Sequence, residues 1–260
     1  MHIIVCLKQI IDPETPAEDF RVDPAARRAI LPQDRGYVIS DYDANALEGA
    51  LRLKDRGDSK VTVFSLGEER TKEALRKALG MGADEAILLS DPLYDDADSF
   101  AVAHVLSQAI KKADPFDLIL CGRQEGDWDA GQVGSGMAEL LGLPSATCVG
   151  GIEVQDGSII VERIVADGRE TIELPLPAVL TISSEIGVPR YAPLKGVMAA
   201  FEKNIPVWNA EVIPPAESRN RMLDLFIPVR KEEECLFIEG DTPEEAGINL
   251  ALRLRNAKLI

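Results

Sequence analysis

No glycine precedes Gly36, so the loop after the first apolar run, residues 3–7, cannot carry the GxGxxG fingerprint of a nicotinamide-binding Rossmann domain. Histidine is nearly missing. His2 lies before the first strand and His104 on an otherwise apolar helix, and each reads as a structural residue rather than a ligand or base. Cys6, Cys121, Cys148 and Cys235 are far apart with no CxxC, which points to neither a zinc site nor a disulfide framework and suits reduced core thiols in a reducing compartment. There is no Ser/His/Asp set, GxSxG elbow, HExxH or Walker A pattern. Basic residues are outnumbered 28 to 44, for a net charge of −16, which argues against nucleic acid or an anionic membrane surface as the main partner. The N-terminal apolar run of five residues is too short for a signal segment or a membrane span, so no direct membrane insertion and a cytoplasmic location are expected.

What the chain does contain is enough apolar material, 46% over 260 residues, for one large α/β domain, alone or with an appendage. Residues 3–7 form an unbroken apolar run, the pattern of a buried parallel strand. Residues 10–42, with Pro13, Pro16, Pro24 and Pro32, suit a long functional or partner-facing excursion that has room for a short hairpin. A helix then starts at Asp43 with Ala46, Leu47, Ala50 and Leu51 on one face and runs to Arg56-Gly57. Strands at 61–65, 85–89 and 117–121 alternate with helices at 69–79 and 100–110; Asp98 or Ser99 caps the second helix, and Gly80 and Gly82 end the first. This alternation predicts an α/β fold with a doubly wound parallel sheet, and right-handed crossovers give its core the strand order 3-2-1-4.

Past Pro144 the texture changes. Short β-rich runs at 152–154, 158–165 and 170–174, separated by Asp156-Gly157 and Asp167-Gly168, predict an antiparallel flap over about residues 148–176. Residues 178–182 return as a buried strand. In the segment 185–198 two prolines oppose helix through most of its length, and Tyr191 and Leu194 stand exposed. Residues 207–230 read as an extended arm, of a kind that more often wraps a partner than folds back alone; 235–238 is a short strand candidate. Thr242-Pro243-Glu244-Glu245 is a capping box with proline at the first helical position, opening a helix with Ala246, Leu250, Ala251 and Leu254 on one face. The domain division expected is 1–200, with the flap, and 201–260.

The stretch 116–143 is the most informative. Its apolar run stops at Cys121-Gly122, a glycine-rich polar segment follows, and Val133, Met137, Leu140 and Leu141 then recur at helical spacing. A loop from the C-terminal end of a parallel strand to a helix N-terminus can converge backbone N–H groups and the positive helix end on a phosphate. With order 3-2-1-4 this loop faces the end of the first strand at the topological switch point, where such sheets bind ligands. Gln124, Asp127, Asp129 and Gln132 add hydrogen-bonding groups but no nucleophile; the plainer reading makes Asp127 or Asp129 a helix cap. The residues describe a binding site without catalytic groups, not an enzyme. A stand-alone adenine-nucleotide enzyme or sensor is the alternative of another class, and the loop lacks the phosphate-cleaving lysine or metal set an enzyme would need.

Five blocks carry a family resemblance: VCLKQIIDP at 5–13, ALEGALRLKD at 46–55, ALGMGADEAILL at 78–89, CGRQEGDWDAGQVG at 121–134 and VPRYAPLKGVM at 188–198. In this order, over essentially the whole chain, they resemble the β subunit of electron-transfer flavoproteins. The resemblance implies a heterodimer with a larger α subunit that holds FAD, and electron transfer from an acyl-CoA-type dehydrogenase to a quinone oxidoreductase or other acceptor. It also implies AMP buried in the β subunit at the switch point; in electron-bifurcating members a second FAD puts its adenosine part in the same pocket. The nucleotide contacts it implies are Cys6, Leu7 and Lys8; Ser40, Asp41, Tyr42 and Asp43; Leu66 and Gly67; and Gly122, Arg123, Gln124, Asp127, Trp128, Asp129, Ala130, Gly131, Gln132, Val133 and Gly134, with the phosphate at the start of a helix over 129–141. Pro189, Arg190, Tyr191, Leu194 and Met198 correspond to the partner-binding block, with Leu194 as the hydrophobic anchor for the dehydrogenase, and residues 201–260 would contact the partner subunit. Bifurcating members typically read DGDTAQVGP where this chain reads DWDAGQVGS, and Ser40-Asp41-Tyr42-Asp43 differs from the family's common NPxx start. Bulky Trp128 in place of glycine and Ala130 without a hydroxyl favour AMP, whereas VCLKQ, QVG and AAFEKNIPVW at 199–208 are closer to the bifurcating branch and keep the second FAD as the alternative.

Overall fold

The computed structural model describes residues 1–16, 18–31, 36–113, 115–229 and 235–260; Pro32 of the expected excursion and Arg230 at the end of the expected arm lie outside them. The chain divides into two compact units, Met1–Leu225 and Phe226–Ile260.

In the first unit, β1 (His2–Cys6) leads through β2 (Gln9–Ile11), β3 (Arg21–Asp23), β4 (Arg28–Ile30) and β5 (Tyr37–Ile39) into helix α1 (Asp41–Arg56). Then follow β6 (Lys60–Leu66), α2 (Lys72–Met81), β7 (Glu85–Leu89), α3 (Ser99–Lys112), β8 (Leu118–Gly122) and α4 (Val133–Leu141). The remainder is β9 (Ser145–Gln155), β10 (Ser158–Val165), β11 (Gly168–Pro175), β12 (Ala178–Ile182), α5 (Leu194–Glu202) and β13 (Val207–Trp208).

Among the described residues nine of these strands build one sheet, in the order β11-β10-β9-β12-β8-β1-β6-β7-β13. The expected 3-2-1-4 core is the run β7-β6-β1-β8, all parallel. Period-two alternation explains the double winding: Ile3, Val5 and Leu7 point into the layer made by α1 and α2, and Ile4 and Cys6 into that of α3 and α4. Strand β1, buried on both faces, is apolar at every core position.

Several elements differ from expectation. Helix α1 begins at Asp41, two residues early, because Asp41 and Asp43 in the first turn suit the positive helix end. The excursion carries two small antiparallel pairs, β2 with β5 and β3 with β4. The flap's first strand is longer than 152–154: β9 starts at Ser145, pairs in parallel with β12, and then turns antiparallel against β10, since Ala146 and Val149 are core residues. The turn between β10 and β11 is Ala166-Asp167, with Gly168 already in the strand. Pro193 stands just before helix α5 and stops nothing after it, so 194–198 is helical. The stretch from Val207 starts as an edge strand on β7 and then packs on this unit: Ile213 is buried, and Tyr94 Oη donates to Ile213 O. Asp98, which caps α3, also accepts from Arg219 N at 2.8 Å and Asn220 N at 2.7 Å.

The second unit holds α6 (Pro243–Asn256). Thr242 Oγ1 accepts from Glu245 N at 3.2 Å, and Glu245 Oε2 accepts from Asp241 N at 2.9 Å. Residues 235–238 form no strand, because among the described residues no partner strand completes a ladder with them. No helix among the described residues is long and apolar enough to cross a membrane.

Candidate functional site

The site forms where β1 and β8 end side by side, with Cys6 opposite Cys121 in register. Burial pushes both thiols well above their usual range, so they serve as the expected core side chains, whereas Cys148 is half-buried and Cys235 exposed. Beyond them the two loops are joined by one carboxylate. Asp43, buried in the first turn of α1, accepts from Lys8 N at 2.8 Å and from Gly122 N at 2.9 Å. Burial raises Asp43 to about 7, and the N–H bonds from Lys8 and Gly122 pull the other way. Gly122 has no room for a side chain: a Cβ there would lie 2.6 Å from Asp43 Oδ1.

Neighbouring polar groups extend this brace. Ser40 is buried, its N–H donates to Lys8 O at 2.9 Å, and its Oγ accepts from Gly126 N at 3.1 Å. Ser65 Oγ donates to Leu7 O at 2.7 Å, which ties the end of β6 to that of β1, and Gly67 N donates to Leu89 O at 3.0 Å, which ties it to β7. Arg123 stacks 4.5 Å over the Tyr42 ring and donates from Nη2 to Tyr42 Oη at 2.8 Å. Its Nε is buried and has no acceptor among the described residues, an orphan donor at the loop's root. Lys8 Nζ lies 2.8 Å from Asp127 Oδ1, both side chains part-exposed.

The loop is self-braced. Gln124 Nε2 donates to Asp129 Oδ1 at 2.8 Å, Asp129 N to Glu125 O at 3.1 Å, and Gly131 N to Glu125 Oε2 at 3.0 Å. Asp129 and Gly131 have φ of 51° and 62°, so the chain makes a left-handed reversal before the helix. Trp128 projects from this reversal, 56% exposed.

Neither Asp127 nor Asp129 caps the helix. Helix α4 starts at Val133 rather than at 129, and its N-cap Gln132 makes no side-chain cap bond. The N–H groups of Gln132, Val133, Gly134 and Ser135 are therefore the four that a helix leaves without intrahelical acceptors. Gly134 lets this donor end sit on the sheet, since a Cβ would lie 2.5 Å from Thr181 Cγ2 and 2.7 Å from Cys121 Sγ. The uncapped donor end of α4 and its close glycine approach make a cradle of the kind a phosphate fits.

The structure thus brings together Cys6, Leu7, Lys8, Ser40, Tyr42, Asp43, Gly122, Arg123 and the 124–134 loop. Glu125 and Thr181 belong to the same construction and went unnamed in the sequence. Glu125 lay within the polar loop, but no spacing rule distinguishes a bracing glutamate from a solvated one. The PRY block lies apart, against α1: Tyr191 and Leu194 are 95% and 77% exposed, Met198 is exposed, and Arg190 is engaged inward by Glu48 and Asp55. His2, with ring nitrogens 2.9 Å from Pro115 O and from Thr62 Oγ1, has a structural place outside the site.

Fold and site together define a doubly wound α/β protein with a cradle of backbone donors at its switch point. Residues 29–213 match the model of the electron transfer flavoprotein domain. The chain is 42% identical over 203 residues to an electron transfer flavoprotein subunit beta of Thermoanaerobacterium thermosaccharolyticum, covering 78% of this chain and 76% of that protein. A second protein of that name, from Clostridium acetobutylicum, is 40% identical over 213 residues, covering 82% and 80%. The caffeyl-CoA reductase-Etf complex subunit CarD of Acetobacterium woodii is 41% identical over 268 residues, covering 100% of both chains. The chain belongs to the electron transfer flavoprotein family, among the β subunits.

Proposed function

We propose that this chain is the AMP-binding β subunit of a cytoplasmic electron carrier, paired with a larger α subunit that holds FAD and with no reaction of its own. The observation that carries the nucleotide assignment is the uncapped start of α4: four orphan N–H groups, kept on the sheet by Gly134. FAD, when bound by the partner, supplies the electron-carrying chemistry. This chain's part is to bind and orient. Val133 to Ser135 would meet the AMP phosphate, Arg123 would add a positive charge, and Asp43 and Ser40 fix the loops that carry those donors. Lys8 and Asp127 neutralise each other at the site, which leaves the backbone as the main anion ligand.

The electrons would come from an acyl-CoA-type dehydrogenase and pass to a quinone oxidoreductase or other acceptor. The name of the Acetobacterium woodii relative, a subunit of a CoA-thioester reductase complex, supports a flavoenzyme of that class. The exposed Tyr191, Leu194 and Met198 on one short segment support a docking surface for it, since adjoining exposed apolar side chains are a mark of protein contacts. Isolated chain is expected to bind adenine nucleotide but little FAD, with flavin fluorescence appearing in a stable complex only after the α subunit is added. A lone chain that forms a flavin-loaded monomer and reduces substrate contradicts the assignment.

A further inference from the structure

The segment that carries the exposed docking side chains is anchored at its root. Helix α1 places Asn45, Glu48, Arg52 and Asp55 three and four residues apart, so these polar side chains share one face of the helix. Asn45 Nδ2 donates to Gly187 O at 2.9 Å, and Arg52 Nη1 donates to Ile186 O. Gly187 has φ of 121°, and a Cβ there would lie 2.5 Å from Arg52 Nη1. The backbone therefore rests on the guanidinium in a conformation open to glycine.

Glu48 is the centre of this clamp. Its Oε2 accepts from Arg190 N at 3.0 Å and from Arg190 Nε at 2.9 Å; its Oε1 accepts from Arg190 Nη2 at 3.3 Å and from Arg52 Nε at 2.8 Å. Arg190 Nη2 also donates to Asp55 Oδ2 at 2.8 Å. One residue further on, the chain turns outward into the exposed Tyr191. On the other side α5 packs so closely on α2 that a Cβ at Gly196 would collide with Gly80 O.

We infer that Glu48 is a positioning residue for docking: it holds Arg190, and through Arg190 the outward pose of Tyr191 and Leu194, without meeting the partner itself. The inference rests on the reading of that segment as the dehydrogenase docking surface. A buried carboxylate that receives four N–H groups from two guanidinium side chains and one backbone amide fixes both ends of the root, because charge-assisted bonds resist replacement by water. An amide at this position keeps the shape but loses the charge and one acceptor oxygen. Arg190 is then released toward Asp55 and solvent, and Tyr191 with it.

The test uses the complete α/β complex and the acyl-CoA-type dehydrogenase that reduces the parent complex. Glu48→Gln is expected to raise KM for the complex as electron acceptor about tenfold with kcat within about twofold, the loss expected for one charge-assisted bond spent on uniform binding. Flavin and adenine nucleotide contents stay at parental values, and hydrogen exchange at the Arg190 amide becomes faster. Arg190→Lys, which keeps the charge but not the planar fork, is expected to raise KM in the same direction. A Glu48→Gln complex that melts at a lower temperature but keeps the parental KM overturns the inference and leaves Glu48 as a support of the fold alone. Parental exchange at the Arg190 amide overturns it as well. Leu194→Ala separates the two readings: if it raises KM and Glu48→Gln does not, only the positioning role fails; if it leaves KM unchanged, the docking surface itself is wrong.

Discussion

Asp43 links the two loops of the candidate site, and its protonation should be visible in the stability of the whole protein. Its folded value of about 7 lies above the ordinary 3.8, because burial opposes the charged form more than the two N–H bonds favour it. The fold therefore binds this proton more tightly than the unfolded chain does. The stabilisation is complete below about pH 4 and is lost as pH rises toward 7. Asp43→Asn removes the titration and also places an NH2 group toward one of the two donors. The melting temperature of the parent minus that of Asp43→Asn should fall between pH 5 and pH 8; a pH-independent difference removes the account of Asp43 as a buried, proton-binding brace. This residue was named from the sequence as the expected start of the first helix and among the nucleotide contacts the family resemblance implies, but its role was not legible. That role depends on Lys8 and Gly122 meeting one side chain across three elements, and no local pattern encodes such a meeting. Arg190, named for partner binding, makes its contacts within this chain inward to Glu48, and Glu48 lay inside the family block 46–55 without any local pattern that gave it a role.

At the scale of elements, helix α4 and its approach to the sheet matter most. Gly134→Ala adds a Cβ within 2.7 Å of Cys121 Sγ and closer still to Thr181 Cγ2. Overpacking of this kind costs about 1–3 kcal/mol, and here it also lifts the donor end of α4 off β8 and β12. Chemical denaturation should show that loss, and the AMP content of the purified complex should drop with it. A variant with parental stability and full AMP content would separate the helix start from the nucleotide. The four core strands and their helices were readable because each has an unmixed signal: period two or unbroken apolar runs for β1, β6, β7 and β8, and period 3.6 for α1 to α3. The misread elements are those whose signal is tertiary. β13 is two residues long and exists because β7 offers an edge, and β9 serves two sheet geometries in one strand. Proline at 193 suggested a broken helix, yet at the position before the first turn it is compatible with the helix that follows.

At the scale of the molecule, topology did the most to locate the site. Right-handed crossovers and the alternation of elements were sufficient to order the core as β7-β6-β1-β8, and the switch point follows from that order. The net charge of −16 bears on the same scale, since it keeps such a carrier away from polyanions and suits encounters with less acidic partners. Which nucleotide the proposed site would take was beyond the sequence. Trp128 and Ala130 in the loop favour a small ligand, but pocket closure is a property of the assembled complex. The central claim is the proposal that this chain holds AMP while its partner subunit carries the flavin, and it is tested most directly by mass identification of the nucleotides released when the purified α/β complex is denatured, with their ratio to protein. The account predicts one AMP and one FAD per heterodimer; two FAD and no AMP would contradict it.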